Sequence, residues 1–458
     1  MEKWILKELE TTDLGDKRRT KRFMEIVSNL SNSPSATVPT ASGTWAATKA
    51  TYDFWDSPYI KPSMIRQGHI EATQERISQH QVVLAIQDTT ELNYTKQKAL
   101  SGAGYLDSKY ARGLKVHSVL SVSSKGLPLG ILDQYVWARE LEELGKAEQR
   151  KKRATAQKES QRWLDALTKS EQLIPESTKV VTITDREGDF YDLMKCPRSL
   201  NSEFLIRASQ NRCLDSGEKL WSAVESASIQ GQMTVEVKRN PTREARRATL
   251  SIRYTTLTIQ PPQNRGKKEQ LEPQDLQAIL VTEEDAPPEV EPIQWLLLTT
   301  LEIKSISDVE QYVRWYSYRW LIERYHYVLK SGCHLEQLQL KTAQRLEMAL
   351  ATYSIVAWRL LWLTYLARHC PDVSCEEVLE SYEWQALYAT IHKQIYPDHK
   401  PPTLSQVVRW IAQLGGFLGR KGDGEPGVKV LWRGLRRLDD ISETWHFCQE
   451  LEHHARQH

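Results

Sequence analysis

The sequence predicts an α/β protein in which a mixed sheet flanked by helices lies between two helical regions. The segments VVLAIQD and KVVTITD have the short, branched, apolar composition of buried strands, and each ends in an aspartate. Apolar residues recur at helical spacing in the first 66 residues and again beyond residue 307. We therefore expect a central sheet with helices before and after it.

The composition suits a soluble protein of two or three domains. The chain has 458 residues, of which 40% are hydrophobic and 26% are charged. Its uncharged apolar stretches are shorter than the ~20 residues of a membrane helix, and the acidic residues of MEKWILKELE argue against a secretion signal. The net charge of +2 conceals basic clusters at 17–22, 150–153, 243–247 and 433–437. Such clusters permit phosphate binding without establishing it.

Residues 1–66 are predicted to form a helical N-terminal domain. In the segment LGDKRRTKRFMEIVSNLSN, the spacing of the apolar residues predicts a helix that buries Phe23, Ile26, Val27 and Leu30 and carries basic residues on its other side. A second helix is predicted in GTWAATKATYDFWDSP, before Pro58.

Residues 67–370 are predicted to contain the sheet. Further strand-like segments are VHSVLSVS, LPLGILDQYVW, FLIRAS and WLLLTT, whereas the charged stretch around 138–170 is predicted to be helical and solvated. Between about 210 and 300, polar strand-like segments alternate with turns rich in proline and lysine. This pattern predicts a β-rich insertion.

A long helix is predicted to begin near Ser307, where Ser-Asp-Val-Glu has the pattern of a capping box, and to continue to Lys330. An apolar helix, MALATYSIVAWRLLWLTYLARH, follows it. The prolines at 371, 397, 401 and 402 predict a linker over 371–400, and residues 403–458 are helical around the interruption GRKGDGEPG. Residues 371–458 are thus a predicted linker and helical C-terminal domain.

Two carboxylates are predicted at the ends of buried strands. Asp88 and Asp185 each close such a strand, and the side chain at a strand end lies at the edge of the sheet where active sites of α/β folds gather. An aspartate in this position is also common as a turn or cap residue. Together with a third carboxylate, however, two aspartates can hold two hard divalent cations ~3.5–4 Å apart.

The third carboxylate is predicted on the long helix. Tyr316, Arg319, Glu323 and Lys330 have offsets of 0, 3, 7 and 14, which at ~100° per residue place all four on one side in a stripe ~21 Å long. Such a stripe sets a metal-binding Glu between an Arg and a Lys that can hold phosphates. Ordinary pairing on a helix surface explains the Arg and the Glu, but neither the Tyr nor the distant Lys.

This pattern resembles a family signature. Tyr316-x2-Arg319-x3-Glu323-x6-Lys330 is similar to the signature of the insertion-sequence transposases called the IS-four family. AIQDTTELNY and TDREGD resemble the segments that hold the first and second catalytic aspartates of that family. LGDKRRTKR, VHSVL, KESQRWL, QWLLLTT and LGGF resemble other family segments in the same order. The resemblance covers nearly the whole chain, least clearly at 210–290 and 371–400, and implies an RNase H-like catalytic core for residues 67–370.

The resemblance also implies roles for the carboxylates. Asp88 would bridge two Mg²⁺ (or Mn²⁺) ions, and Asp185 and Glu323 would each complete one metal site. The DNA-binding residues implied by the resemblance are Tyr316, Arg319, Lys330 and Arg207 near the transposon end, Trp295 on a flipped-out base, and Arg18, Arg19 and Arg22 on the helix that reads the terminal sequence. Trp295 also fits a core position at the start of a strand. Asp53 stands where a basic residue is expected, which implies a different end sequence.

The activity implied is that of a bacterial cut-and-paste DNA transposase. Such an enzyme binds transposon ends through its N-terminal domain, nicks the DNA, excises it through a hairpin and joins the 3′ ends to target DNA. The partners implied are double-stranded DNA, both element ends and target, and a second copy of the chain in a synaptic homodimer, with residues 403–458 as the candidate contact. The implied location is the cytoplasm, at the nucleoid, with no membrane partner.

Two other classes share some of these features. Another RNase H-like nuclease, such as a junction resolvase, would have the same carboxylates, but the basic N-terminal helices and the spacing of Trp295 argue against it. A DNA-binding regulator that inhibits transposition without cutting would be expected to lack the N-terminal region or a carboxylate, and this chain has both.

Overall fold

Helices precede the first strand in the computed structural model, which describes residues 3–140, 159–237, 246–263, 271–395 and 400–457. Their bounds are α1 (Lys3–Glu8), α2 (Lys17–Asn32), α3 (Val38–Ser42), α4 (Trp45–Trp55) and α5 (Pro62–Ile77). Asp16 caps α2 by accepting the backbone N–H of Arg18, and α2 buries the four apolar residues predicted for it. Both predicted helices are therefore present, and the predicted domain limit at residue 66 falls inside α5.

A mixed sheet follows these helices. Its strands are β1 (Val82–Asn93), β2 (Gly104–Tyr105), β3 (Arg112–Ser123), β4 (Pro128–Trp137), β5 (Lys179–Thr184), β6 (Ser202–Arg207), β7 (Gly231–Val237), β8 (Arg246–Ile259), β9 (Gln274–Glu283) and β10 (Gln294–Thr299). Among the described residues the order is β2-β3-β1-β5-β6-β10-β9-β8-β7, and β4 also pairs with β3.

The core of this sheet is RNase H-like, as predicted. β1, β3 and β4 form an antiparallel meander, whereas β5 pairs with β1 and β6 pairs with β5 in parallel. Helices enclose this core, so β3 is buried along almost its whole length. The fold class is thereby confirmed as an α/β mixed sheet flanked by helices.

The prediction that the first strand ends at Asp88 is wrong. β1 continues to Asn93 because its antiparallel pairing with β3 extends as far as Asn93 opposite Gly113. Its parallel pairing with β5, in contrast, stops at Ile86 opposite Ile183. Asp88 therefore lies within a strand, but beyond the point where the neighbouring strand ends.

The polar strands predicted at 210–300 do not form a separate sheet. β7, β8 and β9 extend the core sheet, because β9 pairs antiparallel with β10 and β10 pairs with β6. The helices in this half of the molecule are α6 (Gln161–Leu173), α7 (Tyr191–Lys195) and α8 (Leu220–Glu225). Residues 141–158, the larger part of the predicted solvated helix, lie outside the described residues.

The predicted long helix is divided. α9 (Ile306–Ser317) and α10 (Trp320–Tyr327) are separated by a turn at Tyr318 and Arg319, and a π-helical turn (Val328–Gly332) continues α10. The capping box lies two residues earlier than predicted, with Ser305 as the cap and Asp308 as its partner. The prediction of one regular helix carrying all four signature residues is therefore wrong, because Arg319 lies in the turn and Lys330 in the π-helical turn.

The next helix, α11 (Ala343–His369), is long and apolar enough to span a membrane by length and composition alone. However, 83% of its apolar window is buried inside the protein. Trp55 of α4 donates to Thr352 at 3.2 Å, and Trp358 donates to the Pro128 carbonyl of β4 at 3.4 Å. α11 is therefore the central helix that joins the N-terminal helices to the sheet.

The predicted linker over 371–400 is in part a packed helix. α12 (Ser381–His392) is followed by α13 (Leu404–Leu414) and α14 (Val428–Gln457). Trp384 and Leu387 of α12 are buried against residues such as Ile411 of α13 and Leu431 of α14. The prolines suggested an extended segment, but they flank α12, and burial of its apolar side stabilises the helix.

Candidate active site

Two aspartates stand side by side at the end of the parallel strands. Ile86 of β1 pairs with Ile183 of β5, and Asp88 and Asp185 each follow two residues later. Because side chains alternate along a strand, each aspartate projects from the same face as the isoleucine before it. Asp185 begins a single helical turn and accepts the backbone N–H of Glu187 at 2.8 Å, which fixes its carboxylate.

The pKa values of two acidic residues at this edge are raised. Burial and the nearby Asp88 raise the pKa of Asp185 above its ordinary value, against the effects of Arg319 and Arg207. Burial, Asp185 and Asp88 likewise raise the pKa of Glu187. Several acidic side chains therefore lie within electrostatic range of one another at this edge of the sheet, with arginines beside them.

Glu323 joins this group from the helical side. Burial raises its pKa, and Asp88 and Asp185 raise it further, whereas Arg319 lowers it. The salt bridge between Arg319 Nη1 and Glu323 Oε1 is 2.7 Å long, and the Arg319 side chain is only 10% exposed. α10 thus brings Glu323 within electrostatic reach of both aspartates.

The carboxylates of Asp88, Asp185 and Glu323 are suited to hard divalent cations, although they are not arranged around a single point. Carboxylate oxygens are the ligands that Mg²⁺ and Mn²⁺ prefer. In the part of the chain that the structure describes, no three His, Cys, Asp or Glu side chains converge closely enough to enclose an ion. The Glu323 carboxylate is instead paired with Arg319. A metal ion at Glu323 would therefore compete with Arg319 for this carboxylate.

Three of the predicted phosphate-binding groups lie around these carboxylates. The Tyr316 hydroxyl and Arg319 Nε are buried and make no regular hydrogen bond among the described residues, although Arg207 and Arg319 lie close to the hydroxyl. Arg207, half-buried on β6, donates to the Gln294 carbonyl at 3.1 Å. Buried donors without acceptors are costly in isolation, so these groups are suited to an anionic ligand.

Lys330 and Trp295 complete the surroundings. Lys330 donates to the Thr90 hydroxyl at 3.2 Å, two residues beyond Asp88 on β1. Trp295, half-buried at the start of β10, packs edge-to-face against Tyr316 with ring centroids 5.2 Å apart. The π-helical turn and β10 thus place both predicted residues beside the signature tyrosine and the first aspartate.

The N-terminal arginines are engaged locally on α2. Arg18 is bound to Asp16 and Arg22 to Glu25, each at 3.2 Å, and the guanidinium of Arg19 lies over the Tyr59 ring at 4.6 Å. No described contact joins them to the carboxylates, so they form a separate basic surface.

Two histidines were not predicted from the sequence. The Nδ1 atom of His326 is 3.6 Å from Asp88 Oδ2, and its Nε2 is buried without a partner among the described residues. Its spacing of three residues from Glu323 places both on one side of α10 and was the available signal. His117 of β3 is a supporting residue: it bonds Thr89 and Gln87 on either side of Asp88, and burial lowers its pKa to about 3.

The fold and this site define an enzyme of the RNase H-like class, with acidic and basic side chains gathered at one edge of the sheet. Residues 1–60 match the family model described as Transposase DNA-binding, residues 78–359 match Transposase DDE domain, and residues 355–452 match Transposase Tn5 dimerisation domain. Because the second match covers more than half of the chain, this protein belongs to the DDE transposases and resembles the Tn5 type. It is a metal-dependent enzyme that acts on DNA and dimerises.

A solved structure of another transposase can be aligned with this chain. It is the piggyBac transposase in a cryo-EM structure of a synaptic complex with hairpin DNA. The likeness covers 77% of this chain and 67% of that chain, at 10% sequence identity and a TM-score of 0.36. A score this low indicates no residue-by-residue correspondence.

Proposed function

We propose that this transposase excises its element by cut and paste and that Asp88, Asp185 and Glu323 are its catalytic triad. The observation that carries this proposal is the position of Asp88 and Asp185, each two residues past a paired isoleucine on adjacent parallel strands, with Glu323 within electrostatic range of both. Three carboxylates in one place match the needs of phosphoryl transfer at DNA.

The three carboxylates are proposed to hold two Mg²⁺ (or Mn²⁺) ions, with Asp88 shared between them. When bound, the ions would activate a water and stabilise the leaving 3′ oxygen. Glu323 is proposed to leave its salt bridge with Arg319 as it becomes a ligand. Arg319 would then be free to contact a phosphate, so one exchange prepares both the metal site and the DNA contact.

The residues around the carboxylates are proposed to position DNA. The Tyr316 hydroxyl and Arg319 Nε, which make no regular hydrogen bond among the described residues, supply hydrogen-bond donors together with Arg207 and Lys330. These donors suit the oxygens of phosphates that flank the scissile bond. They would hold the strand so that the reacting phosphate lies over Asp88.

The excision is proposed to pass through a hairpin. Hydrolysis would first free a 3′-hydroxyl at the element's end, and that hydroxyl would attack the opposite strand, which seals the end and releases flanking DNA. Trp295 is proposed to stack on a base flipped out of the tight hairpin turn, since it is half-buried and its orientation is set by Tyr316. Water would reopen the hairpin before the 3′ ends join the target.

The remaining regions are proposed to bring two element ends together. Arg18, Arg19 and Arg22 on α2 are proposed to read the terminal sequence within an N-terminal domain of about residues 1–66. The C-terminal region 371–458 is proposed to supply the contact of a homodimer in the synaptic complex. We propose that this occurs in the bacterial cytoplasm, at the nucleoid.

The test is cleavage of DNA that carries the source element's own ends. Wild type is expected to cut at the element boundary with Mg²⁺ and to give a hairpin, whereas Glu323→Gln and wild type with EDTA are expected to give none. Glu302→Gln is the matched control, because Glu302 is exposed and paired with Lys304 at 3.0 Å. Equal cutting by wild type and Glu323→Gln would remove Glu323 from the metal site.

Two alternative functions predict other outcomes. A non-cutting regulator would bind the ends but leave them intact under every metal condition. A junction resolvase would cut four-way junctions without preference for the element's ends. Inclusion of a four-way junction in the same experiment therefore separates the three functions.

A further inference from the structure

A basic cleft lies on the far side of the π-helical turn. It has a volume of about 710 Å³ and is lined by α14, by Tyr327, Ser331 and His334, and by Ser35 just after α2. The matches to the DNA-binding, DDE and dimerisation family models all contribute residues to it. The cleft is therefore a junction of all three regions rather than a feature of one.

Its wall is a row of cations on α14. Lys429, Arg433, Arg436 and Arg437 recur at helical spacing on the exposed side of the helix, and Asp440 is the one carboxylate among the described lining residues. Arg437 donates to the Leu414 carbonyl at 2.8 Å. In the described part of the chain, no ion pair neutralises Lys429, Arg433 or Arg436. Four like charges within three turns of helix create a positive potential that attracts an anionic ligand.

The floor of the cleft is aromatic and tightly packed. Trp432 is only 4% exposed, and its ring lies 5.6 Å from that of Tyr327. Gly332 admits this packing, since a Cβ there would come within 3.0 Å of the indole. This packing fixes the distance between α14 and the π-helical turn. It therefore also fixes the part of the helix backbone that carries the cations.

The π-helical turn lies between this cleft and the active site. Lys330 bonds Thr90 on the strand of Asp88, whereas its neighbours Tyr327 and Ser331 face the cleft. A ligand in the cleft is thus separated from the carboxylates by a single helical turn.

We propose that this cleft binds the phosphodiester backbone of duplex DNA, so that α14 contacts DNA as well as serving in the dimerisation region. Lys429 to Arg437 span ~12 Å along the helix, which matches the axial rise of about three to four base pairs. A second copy of the chain fits poorly, because a twofold contact through this surface would oppose its own cations. This inference rests on the proposed function, since it gives the transposase an additional site for its DNA.

The experiment compares the full-length double variant Arg433→Gln/Arg436→Gln with wild type. Binding to a duplex that carries an element end is measured by fluorescence anisotropy over a salt series. The variant is expected to bind about tenfold more weakly at ~0.15 M salt, and the slope of log K against log salt is expected to fall by ~1.8, or ~0.9 for each lost phosphate contact.

Lys125→Gln/Lys179→Gln is the matched control. Lys179 begins β5 and Lys125 lies in the β3–β4 turn, so both exposed cations are at the end of the sheet opposite Asp88 and Asp185. This control is expected to bind DNA as wild type does. Light scattering and thermal unfolding accompany each protein, so that loss of the dimer or of the fold is recognised.

The outcomes separate the inference from the proposed function. Unchanged affinity and salt slope in the variant would overturn the cleft as a DNA site, even if the wild type cuts normally. Weaker binding that arises only from loss of the dimer would overturn it in favour of a protein contact. A reduced slope with an intact dimer supports it, even if no protein cuts.

Discussion

Asp88 and Asp185 are equivalent positions on two neighbouring parallel strands, each two residues beyond the paired Ile86 and Ile183. β5 ends at this level, whereas β1 continues because β3 still pairs with it on the other side. The edge of the sheet is therefore stepped, and the step leaves both carboxylates open to the helix that carries Glu323.

Asp185→Asn is expected to reduce cleavage by on the order of 10³-fold without lowering the melting temperature. The amide oxygen can still accept the N–H of Glu187, and burial together with Asp88 already disfavours the charged carboxylate, so its removal costs no stability. Cleavage assays and thermal unfolding check this. Asp165→Asn, at an exposed position of α6, is the control, and an active Asp185→Asn would contradict the assignment.

Tyr316→Phe is expected to reduce cleavage about tenfold or more, the cost of one hydrogen bond to a charged group. Its stability should change by less than ~1 kcal/mol, because the hydroxyl lacks a regular partner among the described residues. Tyr312→Phe is the counterpart, since that hydroxyl donates to the Glu302 carbonyl at 2.8 Å. It should lose ~1 kcal/mol of stability and keep its activity. A phosphate contact at Tyr316 would be excluded if Tyr316→Phe lost stability but kept its activity while Tyr312→Phe lost activity but kept its stability.

Stability is expected to fall at acid pH because of a buried cluster between α1 and α5. Glu8 accepts from His69 and Arg76, and His69 Nε2 accepts the N–H of Ile131 at 2.9 Å, so the imidazole is neutral with its proton on Nδ1. Burial lowers the pKa of His69 below its ordinary 6.5, and His69 and Arg76 lower that of Glu8 below 4.5, against its burial.

The pKa values of His69 and Glu8 in the folded protein both lie below their values in the unfolded chain. The stabilisation that this cluster provides is therefore present above pH ~6.5 and is lost as the pH falls. Urea unfolding from pH 8 to 4 checks this direction. Glu8→Gln is expected to cost ~3–5 kcal/mol at neutral pH, since Arg76 loses a buried partner. The exposed Glu10→Gln should cost nothing measurable, and an equal loss in both variants would contradict the cluster's role.

Trp384→Ala is expected to cost ~3–5 kcal/mol of stability, because the side chain is buried in the C-terminal core. Trp45→Ala is the control, since Trp45 is 74% exposed at the start of α4. Unfolding followed by circular dichroism measures both. A Trp384→Ala protein as stable as wild type would restore the sequence-based view of a linker in this region.

The elements that local pattern determines were predictable, and these include the α2 helix, the strands of the core and the region of each carboxylate. The end of β1 was not predictable. Whether this strand continues past Asp88 depends on its pairing with β3, which lies further along the sequence. For the same reason the sequence could not show that β9 joins β10 and makes the insertion part of the sheet.

The division of the long helix had no local signal either, since no proline or glycine lies between α9 and α10. The backbone N–H groups of Tyr318 and Arg319 bond three residues back, which tightens the chain at this point. The Tyr318 ring packs so closely on Gly126 in the β3–β4 turn that a Cβ there would come within 2.9 Å of it. Tertiary packing therefore sets the angle of α10 and, with it, the direction of Glu323.

The continuous sheet determines the relative position of two residues that we propose to bind DNA. Leu297 of β10 pairs with Arg207 of β6, and Trp295 lies two residues from Leu297, so the indole and the guanidinium project from the same face. Both strands are interior to the sheet, with β5 and β9 on either side. If both residues bind DNA as proposed, a nucleotide held between them would meet the indole and the guanidinium on one face, carried by two strands whose backbones are held by neighbours on both sides.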